Sequence, residues 1–173
     1  MDVMVDLETM GTGGDSAIVA IGAVEFSSAT FTLGRTFYRT ISLESAVQDG
    51  GKIDAATVLW WLCQSDSARQ EITRGGEPSQ QVLHAFTTWL QECGDDVNIW
   101  GNGAAFDNVV LAQTYRRAGL ALPWKYKNDR CYRTLKALYP DVEAVRTGTH
   151  HNALDDAITQ AQHALAILRK IKE

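Results

Sequence analysis

A chain of 173 residues with a formal net charge of −5 has room for one domain of ordinary size, and the 45% of hydrophobic residues can fill its core. The acidic balance argues against a protein that coats nucleic acid by charge alone. The longest apolar run, 17–24, is too short to cross a bilayer, and Met1-Asp2-Val3 lacks a basic, cleavable leader, so a cytoplasmic protein with no membrane partner is expected. Cys63, Cys93 and Cys131 form no CxxC pair or zinc pattern, and are read as reduced, buried small hydrophobes.

In chain order, residues 2–7, 17–26 and 31–41 are rich in Val, Ile and aromatics and are separated by Gly11-Thr12-Gly13-Gly14 and Ser27-Ser28, which predicts an antiparallel meander. Asp54 is placed to cap a helix through Trp60, Trp61 and Leu62, and residues 65–73 form a second short helical stretch. Val82, Leu83, Phe86, Trp89 and Leu90 recur at helical spacing after Pro78-Ser79. Residues 97–100 predict a strand, 105–118 and 133–139 helices, and 153–171 a long helix with Leu154, Ile158, Ala161, Leu165 and Leu168 on one face. The order predicts an α/β fold, a mixed sheet flanked by helices in a single domain over 1–173.

Acidic residues stand out at three points. Asp6 and Glu8 are two apart on the first strand, so their side chains leave the same face. Asp-x-Glu alone is as readily a solvated strand end, but the apolar run Val3-Met4-Val5 suggests a buried strand that delivers acids to a pocket. Asp107 follows the strand at 97–100 and opens a helix, where it also suits the helix dipole. Near the last helix Asn152 is a good cap and Asp155 falls at N3, a structural position, which leaves Asp156 about 100° further round and free for a ligand. Carboxylates gathered in one pocket repel each other unless cations sit between them, which points to metal-dependent phosphate chemistry. His151 precedes the cap on a loop and can reach over such a site as a base; His150 is the alternative, and a simple polar loop pair is an equal reading.

Together these pieces resemble the DEDD superfamily of exonucleases, in the subgroup with a catalytic histidine (DEDDh). Asp6-Leu7-Glu8-Thr9 matches the first motif, Asn102 to Phe106-Asp107 the second, and His151 to Asp156 the third, His-x4-Asp. The tyrosine subgroup would want Tyr where Asn152 stands. Glu8-Thr9-Met10-Gly11, with Thr57-Val58-Leu59-Trp60-Trp61 and Gln64, looks like the exodeoxyribonuclease-VIII-like branch of phages and bacteria, which includes 3′–5′ exoribonucleases. The resemblance implies a ribonuclease-H-like fold and hydrolysis from the 3′ end of single-stranded DNA or RNA. It also implies two divalent cations, Mg²⁺ or Mn²⁺, about 3.5–4 Å apart on Asp6, Glu8, Asp107 and Asp156, with His151 as general base. Other readings are a related hydrolase of short oligonucleotides and a catalytically silent binding module.

For substrate contacts, the match offers Thr9, Met10 and Asn102, with Met10 against a base or else filling core. Trp60 and Trp61 lie about 100° apart on one helix, so one belongs to the core and the other can stack on a base. Between Arg116 and Lys136 seven cations face one acid, interleaved with Trp124, Tyr126 and Tyr132, either a solvated surface or a strand-binding strip centred on Lys125, Lys127 and Arg130. With no accessory domain the chain is expected to act distributively unless it forms a homodimer.

Overall fold

A computed structural model describes residues 1–172. Three antiparallel strands, β1 (Asp2–Thr9), β2 (Ile18–Ser27) and β3 (Thr32–Thr40), are followed by helices α1 (Leu43–Gln48), α2 (Ala55–Leu62), α3 (Asp66–Thr73) and α4 (Ser79–Cys93). Strand β4 (Asn98–Gly101), helix α5 (Asp107–Arg117), strand β5 (Asp129–Cys131) and helices α6 (Tyr132–Leu138) and α7 (Ala153–Lys172) complete the chain. The sheet order is β3-β2-β1-β4-β5, with β4 parallel to β1 and β5 parallel to β4. The mixed sheet flanked by helices agrees with the sequence expectation. None of the helices described is long and apolar enough to cross a membrane.

Alternation along β1 divides the core. Val3, Val5 and Leu7 point into a large cluster with α4 and α5, which includes Leu83, Phe86, Leu111 and Tyr115. Met4 points to the other face, into a smaller cluster with Val24, Phe26, Tyr132 and the Ala157-Ala161-Ala164 stripe of α7. By the same period-two rule Asp6 and Glu8 continue the Met4 face, beyond the end of that smaller core. The strand thus spends its apolar residues on two cores and delivers two carboxylates to the gap under the start of α7.

Small residues on β2 let α7 come close. Asp6 is paired with Gly22 and Glu8 with Ala20. A Cβ at Gly22 would overlap the backbone of Ala153 and Leu154, so the first turn of α7 rests directly on the sheet beside Asp6. Gly22→Ala is therefore expected to push α7 outward and cost about 1–3 kcal/mol, roughly 3–10 °C in melting temperature. A thermal melt matching the parent protein would count against this packing.

Helix α1 and strand β5 escaped the sequence reading, as did a single 3-10 turn at Tyr126–Asn128. Helix α1 has six residues and forms on its cap, where the Ser42 hydroxyl accepts from the Ser45 amide. Strand β5 has three residues and no apolar run; it exists because Ile99, Trp100 and Gly101 of β4 pair with it. Among the cysteines only Cys93 is buried, while Cys63 is exposed and Cys131 intermediate, because the ends of α2 and β5 lie at the surface.

Candidate active site

Four elements converge on one cavity of about 540 Å³. Its lining includes Asp6 and Glu8 from β1, Asp107 from α5, Asp156 from α7 and the pair His150-His151 from the preceding loop. Carboxylate oxygens of Asp6, Glu8 and Asp156 lie within 4.8 Å of one another. Asp107 reaches the same cavity because Gly101, the last residue of β4, has no side chain: a Cβ there would sit 2.9 Å from the Cβ of Asp107.

Burial and mutual repulsion dominate the electrostatics. Asp6 titrates well above the ordinary aspartate range, first because it is desolvated and then because Asp107, Glu8 and Asp156 repel its charge; a hydrogen bond from Gln160 acts the other way. Glu8 is pushed up to about 8 by burial and then by Asp156 and Asp107. Asp107 is pushed up to about 7 by burial, against the pull of the Asp107, Leu7 and Asn102 amides and the Arg133 charge. Glu8 is 6% exposed, and its Oε1 is buried with no hydrogen-bond partner among the described residues. An acid site this crowded is stable as a set of anions only with compensating cations.

The start of α7 is built as the sequence suggests, with one change. Asn152 caps the helix, its Oδ1 accepting from the Leu154 and Asp155 amides at 3.1 Å. Asp155 does not reach back to the cap residue; its Oδ2 accepts from the Thr149 amide at 2.6 Å and closes the loop instead. Asp156 is left facing the cavity, where Oδ2 accepts from the His151 amide at 3.0 Å and Oδ1 pairs with Arg146. His151 has φ 62°, in the left-handed region, and that turn aims its ring at the cavity. The ring meets Trp60 edge-on at 4.9 Å between centroids and His150 at 4.2 Å. Partial burial, then the neighbouring His150, lowers the His151 pKa, against the attraction of Asp156.

The substrate-binding expectations divide. Trp60 is 44% exposed and lines the cavity, whereas Trp61 is 3% exposed and donates its Nε1–H to the Thr9 carbonyl at 3.0 Å. A second cavity of about 490 Å³ adjoins the first, lined by Leu7, Glu8, Thr9, Trp60, Trp61 and Phe106 among others. Met10 faces neither; it is 6% exposed and belongs to the larger core, because it continues the Val3-Val5-Leu7 side after the irregularity between Glu8 and Thr9. The Met10 amide is also spent, on the Ala17 carbonyl at 2.9 Å. Asn102 lines the first cavity, with its Oδ1 buried and unpartnered among the described residues. Lys125, Lys127 and Arg130 line neither cavity: Lys125 pairs with Asp96, and Arg130 donates to the Lys127 and Asp129 carbonyls.

Sequence reading missed three contributors. Gln160 stands one helical turn after Asp156 and donates to Asp6 Oδ1 at 2.6 Å, a position that the i, i+4 rule makes findable. Glu71 of α3 accepts from the Tyr38 hydroxyl and from Asn152 Nδ2, which fastens the histidine loop to the sheet. Arg146 carries no periodic signal, and only the return of its loop brings it to Asp156.

Comparison with known proteins gives this site a family. The model of the Rv2179c-like 3′–5′ exoribonuclease domain matches residues 1–168. The fold is similar to the nuclease domain of 3′hExo, a DEDDh family member bound to rAMP, with 16% identity over 98% of this chain and 92% of that one and a TM-score of 0.68. It is also similar to exonuclease I, with 18% identity, a TM-score of 0.66 and coverage of 98% of this chain but only 40% of that one. The E. coli exonuclease I complex with a 5cy-dT13 oligonucleotide gives 18% identity, a TM-score of 0.62 and coverage of 99% of this chain and 41% of that one. No match is found among proteins of curated function. The ribonuclease-H-like sheet, the acid-lined cavity and a family match over nearly its whole length agree, and the chain belongs to the Rv2179c-like 3′–5′ exoribonuclease domain family.

Proposed function

We propose that this 3′–5′ exonuclease domain, a single unit over 1–173, removes nucleotides from single-stranded 3′ ends of RNA or DNA in a reducing, cytoplasmic setting. Asp6, Glu8, Asp107 and Asp156 hold two divalent cations, and His151 is the general base. The observation that carries this reading is the cluster of Asp6, Glu8 and Asp156 oxygens within 4.8 Å, with Glu8 Oε1 buried and unpartnered among the described residues. Such an all-oxygen donor set suits Mg²⁺ or Mn²⁺. When bound, such ions supply charge neutralisation at the scissile phosphate and a more acidic water.

The chain's own groups do the rest. Gln160 holds one oxygen of Asp6 by its hydrogen bond, so that carboxylate is fixed in orientation. His151, kept largely neutral by its lowered pKa, takes a proton from the attacking water at a ring nitrogen. The Asp156 carboxylate grips the His151 amide and so ties the base to the acid cluster. Trp60, Leu7 and Phe106 form the apolar wall of the second cavity, which receives the terminal base by stacking.

Matched 5′-labelled RNA and DNA oligonucleotides provide the test. A ladder shortening from the 3′ end in Mg²⁺ or Mn²⁺, and absent in EDTA, is expected, with RNA favoured by the family match. Intact strands in both metals, or equal cleavage in EDTA, would overturn the assignment.

A further inference from the structure

We propose that Arg133 and Lys136 form a binding site for the phosphate on the 5′ side of the scissile linkage, so that the substrate is recognised as a charged strand and not only by its last nucleotide. This inference rests on the exonuclease reading and adds the direction in which the strand leaves the site.

The two cations stand at i and i+3 on α6, on one helix face, and both line the cavity that holds Asp6, Glu8, Asp107 and Asp156. Among the described residues neither side chain makes a hydrogen bond or an ion pair, although acids are close by. Several other cations are engaged: Arg35 with Glu25 and Glu92, Arg39 with Glu77, Lys125 with Asp96. Two like charges three residues apart on a helix repel, and an anion between them reverses that penalty.

Their platform is rigid. The Tyr132 hydroxyl is 2.7 Å from Nδ1 of the buried His163, whose Nε2 is 2.7 Å from the Val142 carbonyl oxygen, so α6 is fastened to α7 and to the loop beyond it. Lys136 Nζ lies 5.4 Å from the centre of the Tyr132 ring. The Arg133 guanidinium is packed at Gly103, where a Cβ would come within 3.3 Å of its Cζ. Both cations are thus held in the cavity by neighbours that leave their N–H groups free for a ligand.

Polarity across the site gives the direction. The second cavity contains no lysine or arginine and has the apolar residues Leu7, Trp60, Trp61 and Phe106, so it takes a base. The scissile phosphate belongs over the carboxylates: Glu8 lines both cavities, whereas Asp6, Asp107, Asp156, Arg133 and Lys136 line only the first. The strand therefore continues toward α6, and a cavity of about 540 Å³ shared by carboxylates and cations places the next phosphate at Arg133 and Lys136.

The test uses single-stranded oligonucleotides with one uncharged methylphosphonate linkage, placed either next to the scissile linkage or several linkages away. For the intact protein, the adjacent neutral linkage is expected to slow the first cleavage about ten- to hundredfold, and the distant one to have little effect. In Arg133→Gln/Lys136→Gln the difference between the two positions should vanish. The salt dependence of binding should also flatten by about 0.7 in log–log slope per phosphate lost. Lys125→Gln, outside the cavity, should behave as the parent. Binding is read separately by anisotropy in the His151→Ala background. A position effect on binding without any cleavage by the parent protein would overturn the exonuclease reading, and with it the place of this phosphate beside a scissile linkage, while Arg133 and Lys136 would remain a strand-phosphate site. Equal binding and cleavage of the two modified strands by the parent, or a position effect that survives the double substitution, would overturn the inference. Circular dichroism of the double variant should match the parent, and Lys136→Gln alone, expected to give a partial loss of the position effect, is the fallback if it does not.

Discussion

Glu8→Gln is expected to melt higher than the parent protein in EDTA at pH 7 while losing its nuclease activity to background. Glu8 is buried among Asp6, Asp107 and Asp156 and titrates near 8, so in the folded protein it must take up a proton that the unfolded chain releases near pH 4.5. Glutamine keeps the shape and removes that cost, which at pH 7 is of the order of a few kcal/mol, or roughly 5–10 °C in melting temperature for a chain of this size. The sign follows from proton binding: the folded state holds more protons than the unfolded state between about pH 4.5 and 8. The parent in EDTA should therefore lose stability as pH rises through that window and level off above it, with Asp6 and Asp107 adding to the same trend. In the variant the slope should be shallower. Millimolar Mg²⁺ or Mn²⁺ should reverse the order, since the four-carboxylate parent then gains more than the variant. Thermal melts at pH 5, 7 and 8 with and without metal read all of this. A variant that melts lower than the parent in EDTA at pH 7 would show that the carboxylates are not frustrated.

His151→Ala is expected to lower turnover by about 10²–10⁴ while the affinity for a single strand changes little. The acid limb of the pH–rate profile carries the diagnostic. A general base works when neutral, so activity should rise with pH as His151 loses its proton. Burial and the adjacent His150 lower that pKa, which places the midpoint of the limb below the ordinary 6.5 of histidine. Saturating metal removes the separate carboxylate titration from the profile. In His151→Ala the limb should disappear and the residual rate should be flat there. His150→Ala, whose ring packs on His151 at 4.2 Å, should shift the limb upward with a much smaller loss of rate. A larger loss for His150→Ala than for His151→Ala would move the base to the neighbouring residue.

The carboxylate site was legible because its parts obey local rules. Asp6 and Glu8 share a strand face by the period of two, and Asn152 caps α7 so that Asp156 is left over once Asp155 has a structural partner. Gln160 obeyed the same helical rule and was findable. Met10 was misplaced because an irregularity between Glu8 and Thr9 returns the chain to the core side. Trp60 and Trp61 could be separated in principle but not assigned, since both neighbours of α2 are distant in sequence: the Thr9 carbonyl that takes Trp61 and the His151 ring that meets Trp60.

The basic stretch shows the division most clearly. Composition marks residues 116–136 as cationic, yet the sheet ends at β5, the chain turns into α6, and only Arg133 and Lys136 enter the cavity while Lys125 is neutralised by Asp96. Local pattern was enough for the mixed sheet and for bringing Asp6, Glu8 and Asp156 to one side, because strand parity, helix period and capping act between near neighbours, while the histidine motif was recognised through its resemblance to a family. Tertiary structure alone decided which cations, which tryptophan and which loop arginine face those acids, because contacts between residues far apart in sequence depend on how closely helices pack on the sheet, and here a glycine opposite Asp6 sets that distance.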